Sequence, residues 1–439
     1  MRARLAAFSA TIVILILLAA APAGARTAPV SWKHAKSFSG DGRVTLSVPG
    51  KQTAAEQRIV DGDLYLLTTA RFARSSKPLN HQYYQHVNAR GKANRGPFPV
   101  RLDVNGRDVL AASIAADGSL YYVFAKKDKL FAAHVETNGR ADRTFGPGGL
   151  VQLPLPFSRD VSIRKLANGN VGIAGAVSAR STKIAMFKSD GTALLSGDGS
   201  FGTIAELRGA TLRSSTGGAI YVAGWTPSTE SHAPDQRFAP TSLALNQAAT
   251  LVRLTGTGTL DTGFANSGRV SIETLGVNAW AGTALDSSPQ PDGSANITTY
   301  FRSGTYGGTR IVHYYSDGRR DQCFSAVQTC ITYGAGLDIP ANTFFDYHGE
   351  VAGTTLTDSP NGGYQQWYWS TASTQKPGTY REITGVKINA AGLVLANSEI
   401  FFDHKDPMDI TALLSAPKRQ YLLLVGTLGR TVRVSKLVP

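Results

Sequence analysis

The side chains with the clearest potential for ligand chemistry form one aromatic run. Trp367, Tyr368 and Trp369 are consecutive, and the amides of Gln365 and Gln366 precede them. Exposed aromatic rings beside amide groups can stack on sugar rings or bind a peptide. The run also fits a β-strand, in which alternation places Trp367 and Trp369 on one side and Tyr368 on the other, packed between neighbouring sheets. Both interpretations of the run, as a ligand-binding site and as a structural strand, stay open.

A second candidate lies in a polar segment that contains His232 and Arg237. An imidazole and a guanidinium in a loop can bind a polar or anionic ligand. The alternative is that both are ordinary solvated surface groups. We include His232 and Arg237, together with the aromatic run, as candidate ligand-binding residues.

A third segment, FDHKDPMD at 402–409, groups three aspartates and a histidine. Oxygen ligands of this kind can hold calcium, but the alternating aspartate spacing of a calcium loop is missing and Lys405 lies inside the segment. We therefore predict no metal and no cofactor, with calcium as the alternative to a capped turn. The chain also lacks the motifs of serine hydrolases, zinc proteases and phosphate loops. No residue is assigned a catalytic role.

The chain has two cysteines, Cys323 and Cys330. In an exported protein, a pair this close in sequence forms one disulfide across a turn. Two thiols alone cannot complete a structural zinc site. We predict a Cys323–Cys330 disulfide that braces a hairpin.

The N-terminus has the features of a secretory signal. Arg2 and Arg4 precede an apolar run at 10–21, and small residues at 23–25 suit cleavage. The apolar run is short for a membrane span, and an uncleaved anchor is the alternative. We predict that residues 1–25 are removed and that the protein is secreted or periplasmic, with no membrane span in its mature part.

The predicted mature chain, residues 26–439, is basic. Without Arg2 and Arg4, the 45 basic residues become 43 against 31 acidic residues, which leaves a formal charge of +12. This balance favours anionic partners. The basic residues are scattered in runs no longer than two, which argues against a nucleic-acid-binding tract. We predict that the partner is an envelope or extracellular protein or glycan and that no nucleic acid is bound. An anionic partner would suit the positive charge of the chain.

Internal repeats organise the mature chain. A polar-glycine turn leads into an apolar strand in six places, the first being VDGDLYLLTTA at 60–70, and PKRQYLLLVGTL at 417–428 keeps the strand without the glycine. Asp-Gly and Asn-Gly pairs favour type I′ hairpin turns. The strands are short and rich in β-branched and aromatic residues, and helical periodicity nowhere exceeds two turns after residue 25. The sequence predicts an all-β fold.

A second glycine turn, followed by a phenylalanine and a new strand, recurs between copies of the first. The clearest examples are ETNGRADRTFGPGGLVQL at 136–153 and TGTGTLDTGFANSGRVSI at 255–272. Their pattern, Asp-Gly-x-x-Asp-x-x-Phe-x-x-x-Gly-x-Val, resembles the Delta-60 repeat. The resemblance implies a β-propeller in which each repeat supplies about one four-stranded blade, and it implies no particular activity.

An aspartate recurs beside this second turn, as Asp142, Asp261 and Asp321. A residue that recurs in several repeats is expected to close a hairpin through side-chain hydrogen bonds, because a catalytic group would break the repeat. We predict a structural role for these three aspartates.

The two ends of the chain complement each other. FSGDGRVTLSV at 38–48 matches the strand that follows the repeat phenylalanine, and RTVRVSKLVP at 430–439 matches the strand that precedes it. We predict a single propeller over 26–439, in which the N-terminal strand completes the last blade and closes the ring. Counting the turns predicts seven four-stranded blades, with six and eight as alternatives.

Two segments exceed the repeat length, at about 226–248 and 357–382. Each follows an apolar strand at the same place in the repeat, so we expect both to project as loops from one face. The sequence therefore predicts an exported, non-catalytic monomer that binds a protein, glycan or other envelope component through these loops. A hydrolase or lyase with a site at the mouth of the channel is the alternative, and a purely structural module is a third possibility.

Overall fold

The structure is a computed structural model of the 439-residue chain. It describes residues 32–46, 48–72, 79–103, 108–178, 181–194, 200–205, 207–215, 218–227, 247–255, 259–265, 267–272, 279–290, 292–303, 306–321, 337–340, 351–358, 364–370, 382–388, 394–401, 409–416 and 421–438. The predicted signal segment, residues 1–25, lies outside these ranges.

The described strands form seven antiparallel sheets, numbered here I to VII along the chain. Sheet I contains β3 (Lys51–Val60), β4 (Asp63–Phe72), β5 (Leu79–Val87) and β6 (Val100–Arg101). Sheet II contains β7 (Asp108–Ile114), β8 (Leu120–Lys126), β9 (Lys129–Val135) and β10 (Leu150–Gln152). Sheet III contains β11 (Val161–Lys165), β12 (Val171–Ser178), β13 (Ser181–Phe187) and β14 (Ser200–Ala205). Sheet IV contains β15 (Arg208–Ser214), β16 (Ile220–Pro227), β17 (Gln247–Leu254) and β18 (Arg269–Ile272).

Sheet V contains β19 (Ala279–Pro289), β20 (Ala295–Ser303), β21 (Tyr306–Tyr314) and β22 (Leu337–Pro340). Sheet VI contains β23 (Val351–Asp358), β24 (Tyr364–Ser370), β25 (Glu382–Ile388) and β26 (Val394–Phe401). Sheet VII contains β27 (Asp409–Ala416), β28 (Tyr421–Leu428) and β29 (Thr431–Val438), joined by β1 (Lys33–His34) and β2 (Arg43–Leu46). The helical structure among the described residues is one 3-10 turn, Pro147–Gly149.

Successive sheets pack through their first strands. Contacts join β3 to β7, β7 to β11, β11 to β15 and β15 to β19, and they also join β23 to β27 and β27 to β3. Sheets that meet in this way surround a common axis with the first strand innermost, which is the arrangement of a β-propeller. The prediction of an all-β propeller is confirmed. Within the described part of the chain, no helix has both the length and the apolar character needed to cross a membrane.

Short strands near the N-terminus complete the edge of sheet VII. Strand β2 pairs antiparallel with β29, so that Val44 lies opposite Val434 and Leu46 opposite Val432. These four side chains are buried and belong to one core cluster, to which Phe38 also contributes. The alternating apolar residues of β2, near the N-terminus, therefore face the core together with those of β29, near the C-terminus.

Two kinds of glycine turn connect the strands. Between β3 and β4, Asp61 and Gly62 both have positive φ, as the predicted type I′ turn requires. Between β7 and β8, Gly118 has a φ of +80° whereas Asp117 does not have positive φ, which gives a type I turn closed by a left-handed glycine. The type I′ prediction is wrong there, because Asp117 Oδ1 accepts the Ser119 N–H at 2.9 Å and holds the aspartate in the longer, three-residue loop.

The aspartate of the second turn links that turn to the preceding strand. In sheet II, Asp142 Oδ1 accepts the N–H and the hydroxyl of Thr144 at 2.8 and 2.6 Å. Asp142 Oδ2 lies 2.9 Å from His134 Nδ1 on β9, and the His134 ring stacks on Tyr121 with centroids 4.2 Å apart. The turn, two strands and an aromatic ring are thereby fixed together.

Sheets IV and V contain the same device, with an arginine as the partner on the preceding strand in sheet IV and a histidine in sheet V. Asp261 accepts the Gly263 N–H at 3.1 Å, and the Arg253 Nε donates to its other oxygen at 2.7 Å. Asp321 Oδ2 lies 3.1 Å from His313 Nδ1 on β21. The prediction that Asp142 and Asp261 close turns through side-chain hydrogen bonds is confirmed, and Asp321 shares their pairing with the preceding strand.

The second turns also lock neighbouring sheets together. A backbone N–H of one sheet donates to a backbone carbonyl of the next sheet, and the residue after that carbonyl is a glycine with positive φ. These hydrogen bonds run from Ser39 to Arg90 at 2.9 Å, from Gly146 to Asp190 at 2.8 Å and from Ala265 to Asp317 at 2.8 Å. Gly191 follows Asp190, and a Cβ on Gly191 would lie 2.7 Å from Gly146 N. The backbone of sheet II therefore occupies the space that a side chain at position 191 of sheet III would need.

The segment 357–382 is not a loop throughout, which corrects the predicted second insertion. Residues 364–370 form β24, the second strand of sheet VI, which pairs with β23 on one side and β25 on the other. The first strand of this sheet is β23, Val351–Asp358. A His-Gly pair precedes it in the sequence and resembles the polar-glycine turns that precede second strands elsewhere, so that a loop was predicted where the second strand lies.

Candidate functional site

A cavity of about 330 Å³ lies where the first strands of sheets I, III and IV end. Its charged lining residues are Arg58, Asp117, Arg164, Lys165 and Arg213, and we call this cavity the basic pocket. The four basic side chains are half-buried, and Asp117 is exposed. Within the described lining, positive charge thus exceeds negative charge.

The strand order of the propeller explains why these residues meet. Arg58, Arg164 and Arg213 each lie two or three residues before the turn that leads from the first strand of a sheet to the second. The first strands of sheets I, II, III and IV pack against one another in turn and are innermost, so their ends lie together at one end of the propeller axis. Residues far apart in sequence therefore line the same cavity.

Two residues of β3 join sheet I to sheet II below the pocket. Glu56 Oε1 accepts the Ile114 N–H at 3.0 Å and the Ser113 hydroxyl at 3.4 Å. Arg58 Nη1 donates to the Ile114 carbonyl at 3.3 Å. Burial raises the pKa of the Glu56 carboxyl, against the opposing effects of the Arg164 charge and the Ile114 N–H. Glu56 and Arg58 therefore brace the pocket wall.

The opposite wall is held by an ion pair between sheets II and III. Lys165 Nζ donates to Asp117 Oδ2 at 2.7 Å, and the Ser119 hydroxyl donates to Asp117 Oδ1 at 2.6 Å. Lys165 Nζ also lies 5.8 Å from the centroid of the Tyr121 ring. Although burial raises the pKa of Asp117, the hydrogen bonds from Lys165 and Ser119 lower it to about 2.

We expect the Asp117 pair to make stability depend on pH in acid. The pKa of Asp117 is lower in the folded protein than in the unfolded chain, so its contribution is complete above about pH 4 and is lost as the pH falls towards 2. The carboxylate is half-exposed, and we expect screening to limit the effect to about 1 kcal/mol. Urea unfolding of Asp117→Asn and wild type should differ at pH 7 and converge near pH 2. A difference that stays constant over this range would contradict the prediction.

The predicted aromatic run lies within the described residues and is not part of the lining of the basic pocket. Trp367, Tyr368 and Trp369 lie in β24, a strand that pairs with β23 on one side and with β25 on the other. His232 and Arg237 lie outside the described residues, as do Cys323 and Cys330. No described residue of the pocket was among the candidates drawn from the sequence.

A sequence signal for the pocket does exist. A basic residue stands shortly before the first turn of the repeat in VTLSVPGKQTAAEQRIVDG, SIRKLANG and TLRSSTGG. Each copy is an ordinary solvated arginine or lysine when taken alone. Aligning the repeats on their turns would place these basic residues at neighbouring ends of the innermost strands.

The strand ends that border the two long segments lie away from the basic pocket. Strand β16 ends at Pro227 and β17 begins at Gln247, and likewise β24 ends at Ser370 and β25 begins at Glu382. At each of these places the second strand of a sheet ends and the third strand begins. The basic pocket lies at the opposite end of the sheets, where the first strand turns into the second.

The described residues contain no group of three or more histidine, cysteine, aspartate or glutamate side chains arranged to hold a metal ion. Of the acidic segment considered for calcium, Asp409 begins β27 and residues 402–408 lie outside the described ranges.

No protein-family model and no curated protein matches the chain. Among solved structures, it is similar to prolyl oligopeptidase B from Galerina marginata, with 11% identity, a TM-score of 0.43, and coverage of 88% of this chain and 49% of that chain. It is similar to the β-propeller domain of the trilobed protease from Pyrococcus furiosus, with 8% identity, a TM-score of 0.46 and coverage of 89% and 94%. It is also similar to virginiamycin B lyase from Staphylococcus aureus, with 11% identity, a TM-score of 0.44 and coverage of 90% and 99%. The chain spans about half the length of the oligopeptidase.

Proposed function

We propose that this chain is an exported, non-catalytic β-propeller that binds an anionic protein or glycan of the envelope or the extracellular space. The observation that carries the proposal is the basic pocket, in which Arg58, Arg164 and Arg213 come from three different sheets. Half-buried guanidinium groups attract anions more strongly than solvated ones, because less water screens them. The formal charge of +12 predicted for the mature chain would guide anions to the molecule.

The chemistry of the pocket supports binding rather than hydrolysis. General acid–base catalysis needs a carboxylate or an imidazole that is free to exchange a proton with a substrate. The carboxylate in the described lining, Asp117, is already bonded to Lys165 and Ser119, and its lowered pKa keeps it ionised. The proposal invokes no cofactor and treats the chain as a monomer.

We further propose that the seven sheets are seven blades of one ring, of the Delta-60 repeat type, closed where β2 joins sheet VII. The pairing of β2 with β29 supports closure, and the recurring aspartate and glycine of the second turn support the repeat. In this proposal, residues 1–25 direct export, and a Cys323–Cys330 disulfide braces sheet V. The proposals for residues 1–25 and for the disulfide rest on the sequence alone.

Substitution of Arg164 should test the proposed function. We expect wild type to bind anionic members of a glycan and acidic-peptide array and to leave the neutral members unbound. Arg164→Gln should weaken binding at least tenfold, because it removes a charge-assisted hydrogen bond from the pocket. Arg143→Gln is the matched control: it changes the net charge equally, and Arg143 is exposed in the second turn of sheet II, outside the pocket lining.

Two outcomes would contradict the proposed function. Equal losses for Arg164→Gln and Arg143→Gln would indicate attraction by overall charge only. Binding that survives Arg164→Gln but is lost on deletion of 232–242 would assign the site to the segment between β16 and β17. A corresponding deletion between β24 and β25 of sheet VI should be confined to residues 371–381, because residues 364–370 form β24.

A further inference from the structure

We propose that the anion bound in the basic pocket is a phosphate monoester in its dianionic form, rather than a carboxylate. This inference rests on the proposed function, since it names the chemistry of the ligand that the same pocket would bind. The directions from which the arginines come and the balance of charge around them carry it.

The first argument concerns direction. Arg58, Arg164 and Arg213 reach the cavity from β3, β11 and β15, which belong to different sheets around the axis. A guanidinium is a planar fork with five N–H donors, so a bond to a protein acceptor leaves other donors for a ligand. A carboxylate has two oxygens in one plane, which one or two forks satisfy. A phosphate monoester presents three oxygens in different directions and can accept from all three arginines.

The second argument concerns charge. The described lining holds four basic side chains and Asp117, and Glu56 lies beside Arg58 and interacts electrostatically with Arg164 and Arg213. These groups leave an excess of three positive charges when burial keeps Glu56 protonated and of two when Glu56 is ionised. A phosphate monoester carries a charge of about −1.5 to −2 at neutral pH, which balances either excess more closely than a single carboxylate, with its one negative charge, does. The cavity of about 330 Å³ also leaves room for the atoms to which the phosphate is attached.

Small anions test the inference without a polymer. We would titrate the mature full chain at pH 7.5 and low salt with methyl phosphate, dimethyl phosphate and acetate, and follow binding by calorimetry. Methyl phosphate should bind at least tenfold more tightly than acetate, with dimethyl phosphate weaker than methyl phosphate because it carries one negative charge. The dimethyl ester distinguishes a terminal phosphate from one inside a phosphodiester chain.

A charge-conserving variant separates fork geometry from charge. Arg213→Lys keeps the positive charge and removes the planar fork, so we expect about tenfold weaker binding of methyl phosphate and a change of less than twofold for acetate. Arg143→Lys is the control outside the pocket and should change neither affinity. If Arg213→Lys fails to fold, judged by circular dichroism, Arg164→Lys provides the same comparison.

The outcomes distinguish this inference from the proposed function. If acetate binds as tightly as methyl phosphate and Arg164→Gln abolishes both, the pocket binds anions but the phosphate inference is overturned. If dimethyl phosphate binds more tightly than methyl phosphate, the dianion inference is likewise overturned. If neither the small anions nor the anionic array members bind to wild type, the proposed function itself fails.

Discussion

Val44→Asp is expected to disrupt the pairing of β2 with β29 and to lower the free energy of unfolding by at least about 4 kcal/mol. Val44 is 6% exposed in β2 and lies opposite Val434 of β29, inside a cluster of buried apolar side chains. An aspartate there would place a carboxylate among apolar groups with no charged partner in that cluster, and burying an unpaired charge is among the most destabilising single changes. Urea unfolding followed by tryptophan fluorescence would measure the loss.

The matched control is Thr45→Asp, one residue further along the same strand. Thr45 is exposed and lies opposite Arg433, so the new carboxylate would face solvent beside a basic side chain. We expect a change within about 0.5 kcal/mol. Equal effects of the two substitutions would show that β2 does not present Val44 to the core. Two stable variants would show that the pairing of β2 with β29 contributes little to stability.

Gly191→Ala is expected to cost about 3 kcal/mol, the second largest effect. Gly191 has a φ of +82°, and an added Cβ would lie 2.6 Å from Val151 Cγ2 and 2.7 Å from Gly146 N. The left-handed backbone costs an alanine about 1 kcal/mol or more, and the clash would also push apart the Gly146 N–H and the Asp190 carbonyl that join sheets II and III. The change in the free energy of unfolding would be measured with urea.

Gly169→Ala separates the two parts of this cost. Gly169 has a φ of +85°, and a Cβ there would have no atom within 4 Å. It therefore carries the cost of the backbone conformation without the clash, which we expect to be about 1 kcal/mol. If the two variants lose the same stability, the close approach of the two sheets at Gly191 contributes nothing and the argument for the lock fails.

The repeated features of the fold were predictable from the sequence because each of them is local. A glycine turn and the apolar strand after it lie within about ten residues, and the role of Asp142 depends on Thr144 and His134, which are close in sequence. The second strand of sheet VI was misplaced for the opposite reason. The polar and small residues around β24 favour a loop, and its two neighbouring strands determine its place in the sheet.

The basic pocket could not be predicted in the same way. Arg58 and Arg213 are more than 150 residues apart and meet because sheets I and IV place the same strand end at the same mouth. Until the strands are ordered around the axis, neither arginine differs from the other scattered basic residues. The exact turn type was also beyond reach at Asp117, since it depends on a side-chain hydrogen bond to Ser119.

The pairing of β1 and β2 with β29 has a mechanical consequence. Lys33 lies opposite Val438, and the pairs then proceed inward as far as Leu46 opposite Val432. Tension between the two ends of the chain would therefore act first on the outermost pair and separate the strands one pair at a time, as a zipper opens. Strands pulled along their length must break all their hydrogen bonds together, which takes more force. Sheet VII would thus be the place where the molecule yields under load.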